Sequence, residues 1–345
     1  MLLFYCFIKL FILNDHFHTF IEIYHMFIKK TGMFSGILPW ILPLLFSPGC
    51  SPENGPSDYY LKREEKIPAG AEKVLPSNDM YPPVVHSMEY GDAVPLSGKV
   101  NTAGGEDSPF MANDRDEFYF FFTPDVKVAV EKQAQDSVTG IYCSRLVNGS
   151  WKEPERVILQ NNGKLALDGC EWIHGDSMLF CSAREDYTGM NWFLARYIDG
   201  KWSEWELFEF NEEYLVGELH ILHNELYYHS DRKGGKGGLD IWRLRLENNQ
   251  WKDPVNIEIL NSESNEGWPC ISDDGLEIWF TRFYNGSPAI FRSKKVNNEW
   301  QGAEMIISQF AGEPTLDKDG NVYFTHHFYR YGEMIEADIY ICRRL

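Results

Sequence analysis

The sequence predicts an all-β fold, a five-bladed β-propeller of four-stranded antiparallel blades closed by an N-terminal strand. Three observations carry this. Short aromatic and β-branched runs of strand length recur in a fixed order of four kinds. The fourth kind begins at Trp151, Trp202, Trp251 and Trp300, about 50 residues apart, which is the length of a four-stranded blade. The last unit ends after its third strand, and a stretch of matching form stands at the front of the domain.

The clearest unit runs from Leu226 to Arg282. An apolar strand, Leu226-Tyr-Tyr, ends in Ser230-Asp-Arg232. A glycine turn (Gly234, Gly235, Gly237, Gly238) leads to Asp240-Ile-Trp242. A polar turn leads to Trp251-Lys-Asp-Pro254, and a connection through Asn261 and Glu266 leads to Trp268-Pro269.

Elsewhere the same order returns. First strands begin at or just after an acid: Glu106, Glu171, Glu218, Glu266 and Glu313. Second strands are aromatic, as in Phe118-Tyr-Phe-Phe-Phe-Thr123 and Val322-Tyr-Phe-Thr325. Third strands read Gly140-Ile-Tyr-Cys143, Ala289-Ile-Phe-Arg292 and Asp338-Ile-Tyr-Ile341. Ala93 to Thr102 has the form of Trp251 to Ser262, so it supplies the missing fourth strand and hides both sheet edges. The propeller is expected over residues 81–345.

Residues 1–50 read as a leader. Lys29 and Lys30 make a basic region, Phe34 to Phe46 an apolar one, and Gly49-Cys50 a cleavage site. This resembles a bacterial lipoprotein leader, which implies a lipid on Cys50. Ser47 and Pro48 depart from that pattern. The order of these segments suggests a biological start at Met26 or Met33. Residues 51–80, with Pro52, Pro56, Pro68 and Pro76 and no sustained period, read as a flexible tether.

Lys+Arg number 32 against 51 Asp+Glu, a formal charge of -19. Such a chain repels nucleic acid and anionic membrane surfaces, so membrane contact is expected only through the N-terminal anchor. None of the seven cysteines forms a CxxC pair, and four lie in or beside strand-like runs, as buried core residues do.

The motifs Ser230-Asp-Arg232, Gly234-Gly-Lys-Gly-Gly238, Asp240-Ile-Trp242, Trp251-Lys-Asp-Pro254 and Asp274-Gly-Leu-Glu-Ile-Trp-Phe280 resemble the WD40-like propeller repeats of the TolB type, also called PD40. The resemblance implies an exported propeller of the cell envelope, periplasmic or at the surface. It implies no shared enzymatic activity.

In a propeller the first strand of each blade lines the central channel, and the second returns to the same face. Opening acids and closing residues therefore share one rim. The candidate ligand-binding residues are Glu106, Asp107, Glu171, Trp172, Arg184, Glu218, His220, Arg232, Glu266, Trp268, Arg282, Glu313 and His326. Carboxylates accept hydrogen bonds from hydroxyls and indoles stack on sugar rings, so this acidic funnel suits a glycan, or an envelope protein or peptide. Arg232 and Asp240 flank one glycine loop, where an ion pair would fix it. Glu218 and His220 share a strand face and, with Glu171 and Glu313, offer metal donors. Their spacing matches no metal motif, and neither metal nor cofactor is expected.

The function expected is that of an exported, monomeric, non-catalytic binding propeller. The alternative is a resemblance to the glycoside hydrolases that five-bladed propellers host, whose inner strands present two aspartates and a glutamate; it implies Asp107, Asp168 and Glu218 in those places, with Asp107 activating water and Glu218 as the acid. A structural scaffold of envelope assembly is the third reading.

Overall fold

The computed structural model describes residues 62–161, 163–210 and 214–345. The leader, Cys50 and the first part of the expected tether lie outside the described residues. Among the described residues the fold is all-β. Its only helical pieces are short: Arg63–Lys66, Pro76–Asn78 and the single turn Val130–Gln133.

The chain runs as a series of antiparallel meanders. The first comprises Gly105–Ala112, Glu117–Thr123 and Gly140–Val147, edged by Ser150–Trp151 and Glu155–Arg156. The next is Ala166–His174, Ser177–Arg184, Met190–Ile198 and Lys201–Leu207. Leu219–Leu222, Glu225–Ser230, Asp240–Glu247 and Gln250–Asn256 follow. Then come Glu266–Ile271, Glu277–Tyr284, Ser287–Val296 and Glu304–Ser308, extended by Val84–Val85. The last is Ala311–Leu316, Val322–Arg330 and Glu333–Cys342. One parallel bridge, Ala337 to Gly105, joins this last meander to the first, so the strands fall into four hydrogen-bonded sheets.

The free edge of Glu333–Cys342 is taken by Val94–Pro95, in register with Ile341 and Tyr340. The pairing continues as Leu96 N–H donates to Ile339 O at 2.9 Å. Asn101 then brackets Ile339, accepting from its N–H and donating to its carbonyl, both at 2.9 Å. Asn261 brackets Ile241 in the same way. The likeness of the two stretches in sequence is therefore matched in their hydrogen bonds.

The core lies between neighbouring meanders. Phe118, Phe120 and Phe122 of the first pack with Tyr323, Ile339 and Ile341 of the last. Tyr119 and Ile141 pack with Phe180 and Phe193 of the second. The recurrent tryptophans serve these seams. Trp202 donates to Tyr119 Oη of the preceding meander at 3.1 Å, and Trp300 sits edge-on to Tyr227 of its own predecessor. Cys143, Cys170, Cys181, Cys270 and Cys342 are free and buried.

Residues 62–80 differ from the tether expected. Arg63 is 3% exposed and hydrogen-bonds the Val100 carbonyl and Glu106. Lys73 pairs with Glu336 and Asp338, Val74 joins the core, and Asp79 hydrogen-bonds His326 at 2.8 Å. A sequence without period still binds where single charged side chains meet buried partners.

Candidate functional site

The opening acids do not occupy equivalent places. Register aligns Glu106-Asp107-Ser108-Pro109, Asp168-Gly169-Cys170-Glu171, Gly217-Glu218-Leu219, Glu266-Gly267-Trp268-Pro269 and Gly312-Glu313-Pro314. In four of these strands the ladder shifts at this point. There Ser108, Cys170, Trp268 and Glu313 adopt positive φ, between 48° and 58°. A left-handed non-glycine residue costs about 1–2 kcal/mol. Three of the turned amides find partners on a neighbouring meander that offset this. Glu313 N–H donates to Thr281 Oγ1 at 2.7 Å, Trp268 N–H points at His229 Nδ1 at 3.4 Å, and Ser108 N–H donates to Glu313 at 2.8 Å.

This bulge sorts the candidates into three groups. Glu106, Asp168 and Glu266 are buried and pair with Arg63, Arg184 and Arg282, at 3.2, 2.6 and 2.7 Å. Glu106 also accepts from Thr102, and Glu266 from Ser262. These acids and arginines hold the start of their strands and do not form a free rim. His326, fully buried, is held by Asp79. Arg232 donates to Tyr228 Oη and stacks on Trp242. Asp240, expected to pair with Arg232, instead caps the glycine turn through the amides of Lys236 and Gly237 and accepts from Asn256.

The second group converges. Glu171, Glu218, His220, Trp268 and Glu313 line one cavity of about 50 Å³, with Ser108 and Cys170. Burial pushes the Glu171 carboxyl up to about 8, helped by the Glu218 charge. Both Glu171 oxygens are buried and without a hydrogen-bond partner. Burial, then Glu313, raises Glu218 to about 8; burial, then Asp107, does the same to Glu313. Glu218 accepts from the Cys170 thiol at 3.2 Å. Burial, then His174, lowers His220 to about 4, so its ring is neutral near pH 7. A space of this size holds a water or two but not a sugar ring.

Trp172 belongs to a third place. A cleft of about 1030 Å³ opens at the hairpin turns between first and second strands, opposite the ends where the acids start. Phe110, Trp172, His174, His220 and His223 form its aromatic part. Trp172 and His174 stack at 6.1 Å, and Phe110 lies 6.1 Å from His220. Asp114, Asp273, Asp317, Lys294, Lys318 and Arg344 supply mixed charge. Phe110, His220, Cys270 and Thr315 border both cavities.

Sequence reasoning missed Ser108, Cys170, Phe110, His174 and His223. A signal existed for Cys170. Gly169, Gly217, Gly267 and Gly312 each stand one residue before a side chain that lines the small cavity. A Cβ at Gly217 would meet His229 Nε2 at 2.0 Å, and one at Gly267 would meet His229 Nδ1 at 2.9 Å.

No family model matches the chain, and no curated protein matches it. Among solved structures it is similar to TolB from Acinetobacter baumannii, at 14% identity and a TM-score of 0.44, over 71% of this chain and 56% of that one. It is similar to a thermostable family-43 glycoside hydrolase, at 12% identity and a TM-score of 0.46, over 72% and 92%. An exo-beta-1,3-galactanase from Phanerochaete chrysosporium matches at 12% identity and a TM-score of 0.47, over 74% and 64%. At these values nothing of those proteins' chemistry passes to this chain.

Proposed function

We propose that the chain is an exported five-bladed β-propeller, anchored by a lipid at Cys50, that binds a glycan without turning it over. The meanders are its blades, and Val94–Pro95 is the outer strand of the last one. The pairing with Ile341 and Tyr340 and the matched brackets of Asn101 and Asn261 support this closure. The observation that carries ligand binding is the 1030 Å³ cleft with Trp172, Phe110 and His220 on its wall. Flat rings stack on sugar faces, and a rim of both charge signs suits a neutral polar ligand. The binding site is therefore assigned to the turn-side mouth, away from the buried acid–arginine pairs.

Hydrolysis is the second reading, favoured by the raised pKa of Glu218, which keeps a proton available near pH 7. Against it, Glu171 and Glu313 are raised alike, and Asp168 is committed to Arg184 and Ser182.

A glycan array on the full chain, followed by titration of any hit, separates these readings. In a binder, Trp172→Ala weakens binding by about tenfold or more, the loss of about 1.4 kcal/mol of contact, and Glu218→Gln leaves it nearly unchanged. Release of reducing ends that disappears in Glu218→Gln would establish hydrolysis. Retention of envelope peptides instead of glycans would make the partner a protein, and retention of neither would leave a scaffold. Mass spectrometry of the mature N-terminus reads export; an intact, unlipidated Met1 on a cytosolic protein would refute it.

A further inference from the structure

We propose that Asp107, Glu313 and His327 form a binding site for a divalent first-row transition ion, with zinc as the test case. No metal is expected from the spacing of residues in the sequence, because these three come from different strands. Their donor atoms lie within 4.8 Å of one another. All three residues are buried, at 1%, 4% and 0% exposure.

The orientation of His327 is the second, independent observation. Its Nδ1 lies 3.1 Å from the Phe310 carbonyl oxygen. A carbonyl oxygen only accepts, so Nδ1 carries a proton and Nε2 is the nitrogen left to bind a metal. Nε2 is buried and has no hydrogen-bond partner. It points at Asp107 Oδ1, 3.6 Å away. The two atoms are too far apart for a hydrogen bond and close enough to share one cation. Metal-bound histidines are held in this way, with the second nitrogen donating to a carbonyl.

The repeat pattern explains why this happens once. Asp107 stands where the other first strands have Gly169, Gly217, Gly267 and Gly312. A Cβ at Gly217 or Gly267 would clash with His229, and one at Gly312 would touch Thr281 at 3.4 Å. In the first strand the neighbour is the last meander, and the side chain of Asp107 reaches His327.

One imidazole and two carboxylates form a donor set that zinc accepts. Calcium takes six to eight oxygens, more than the trio supplies. Three protein ligands leave a coordination position open, and Glu313 borders the 50 Å³ cavity that also holds Glu218.

The test uses the full chain, stripped with a chelator and titrated with zinc by calorimetry, with thermal melts in parallel. Wild type is expected to take up one equivalent more than His327→Gln and to melt higher with zinc. That equivalent weakens by more than about 100-fold in the variant, beyond the effect of losing an outer-sphere partner. His86→Gln, on the surface, retains it. Equal stoichiometry and affinity in wild type and His327→Gln would overturn the proposal, leaving an imidazolium–carboxylate pair. If His327→Gln does not fold, Asp107→Asn is read instead and must lose the same equivalent. Glycan retention by the metal-free protein is measured separately, so the binding reading and the metal site succeed or fail independently.

Discussion

Arg63 Nη1 lies 3.2 Å from Glu106 Oε1 and donates to the Val100 carbonyl at 2.7 Å, with both side chains buried. An arginine from the segment before the first meander thus closes a site that Arg184 and Arg282 close from within their own meanders for Asp168 and Glu266. Burial raises Glu106 to about 7 despite this partner.

Arg63→Met is expected to destabilise by about 3–5 kcal/mol, because it leaves a buried carboxylate without its cation. The loss should shrink toward pH 5, where Glu106 is protonated. Denaturant unfolding of Arg63→Met, Glu106→Gln and the double variant at pH 5 and 8 measures the coupling. Equal losses at both pH values would mean that Arg63 acts through packing alone.

Glu171 sets a pH dependence. Its folded pKa is raised from 4.5 to about 8, so the folded state binds more protons than the unfolded one in between. Stability from this group is complete below about pH 4.5 and is lost as pH rises through 8. Glu171→Gln, neutral at all pH values, is therefore expected to be more stable than wild type at pH 8, by on the order of a few kcal/mol. The difference should vanish near pH 4.5. Urea midpoints across pH 4.5–8.5 provide the check, and a variant no more stable at pH 8 than wild type would count against a buried, unpartnered carboxyl.

Truncation separates the N-terminal segments. Deleting residues 1–61 should leave the melting temperature nearly unchanged. Deleting 1–80 should lower it, because Arg63, Lys73 and Asp79 go with it. Deleting 1–104 should abolish cooperative unfolding, because the edge of Glu333–Cys342 and the amide bracket on Ile339 are lost. Asn101→Ala alone should cost about 1–3 kcal/mol, the penalty for removing the side-chain partner of the buried Ile339 N–H, while the Ile339 carbonyl keeps the Leu96 N–H. Equal melting of the two longer truncations would argue against a role for Val94–Pro95 in holding the last meander.

The strand order and the recurrent tryptophans at the fourth strands were legible in the sequence, because local periodicity and turn chemistry act over a few residues; the seams those tryptophans pack into were not. The pairing of Val94 with the far end of the chain was legible too, since Ala93–Thr102 repeats the pattern of Trp251–Ser262. Which acids line the small cavity was decided by the tertiary structure. A single left-handed residue in a first strand reverses the alternation of side chains beyond it, so Glu313 and Cys170 face inward while Glu106, Asp168 and Glu266 turn to their arginines. Only long-range packing determines that bulge, because its amides are satisfied by Thr281, His229 and Glu313 of neighbouring meanders. For the same reason the meeting of Asp107 with His327, more than half the chain away, belongs to the fold and not to any motif.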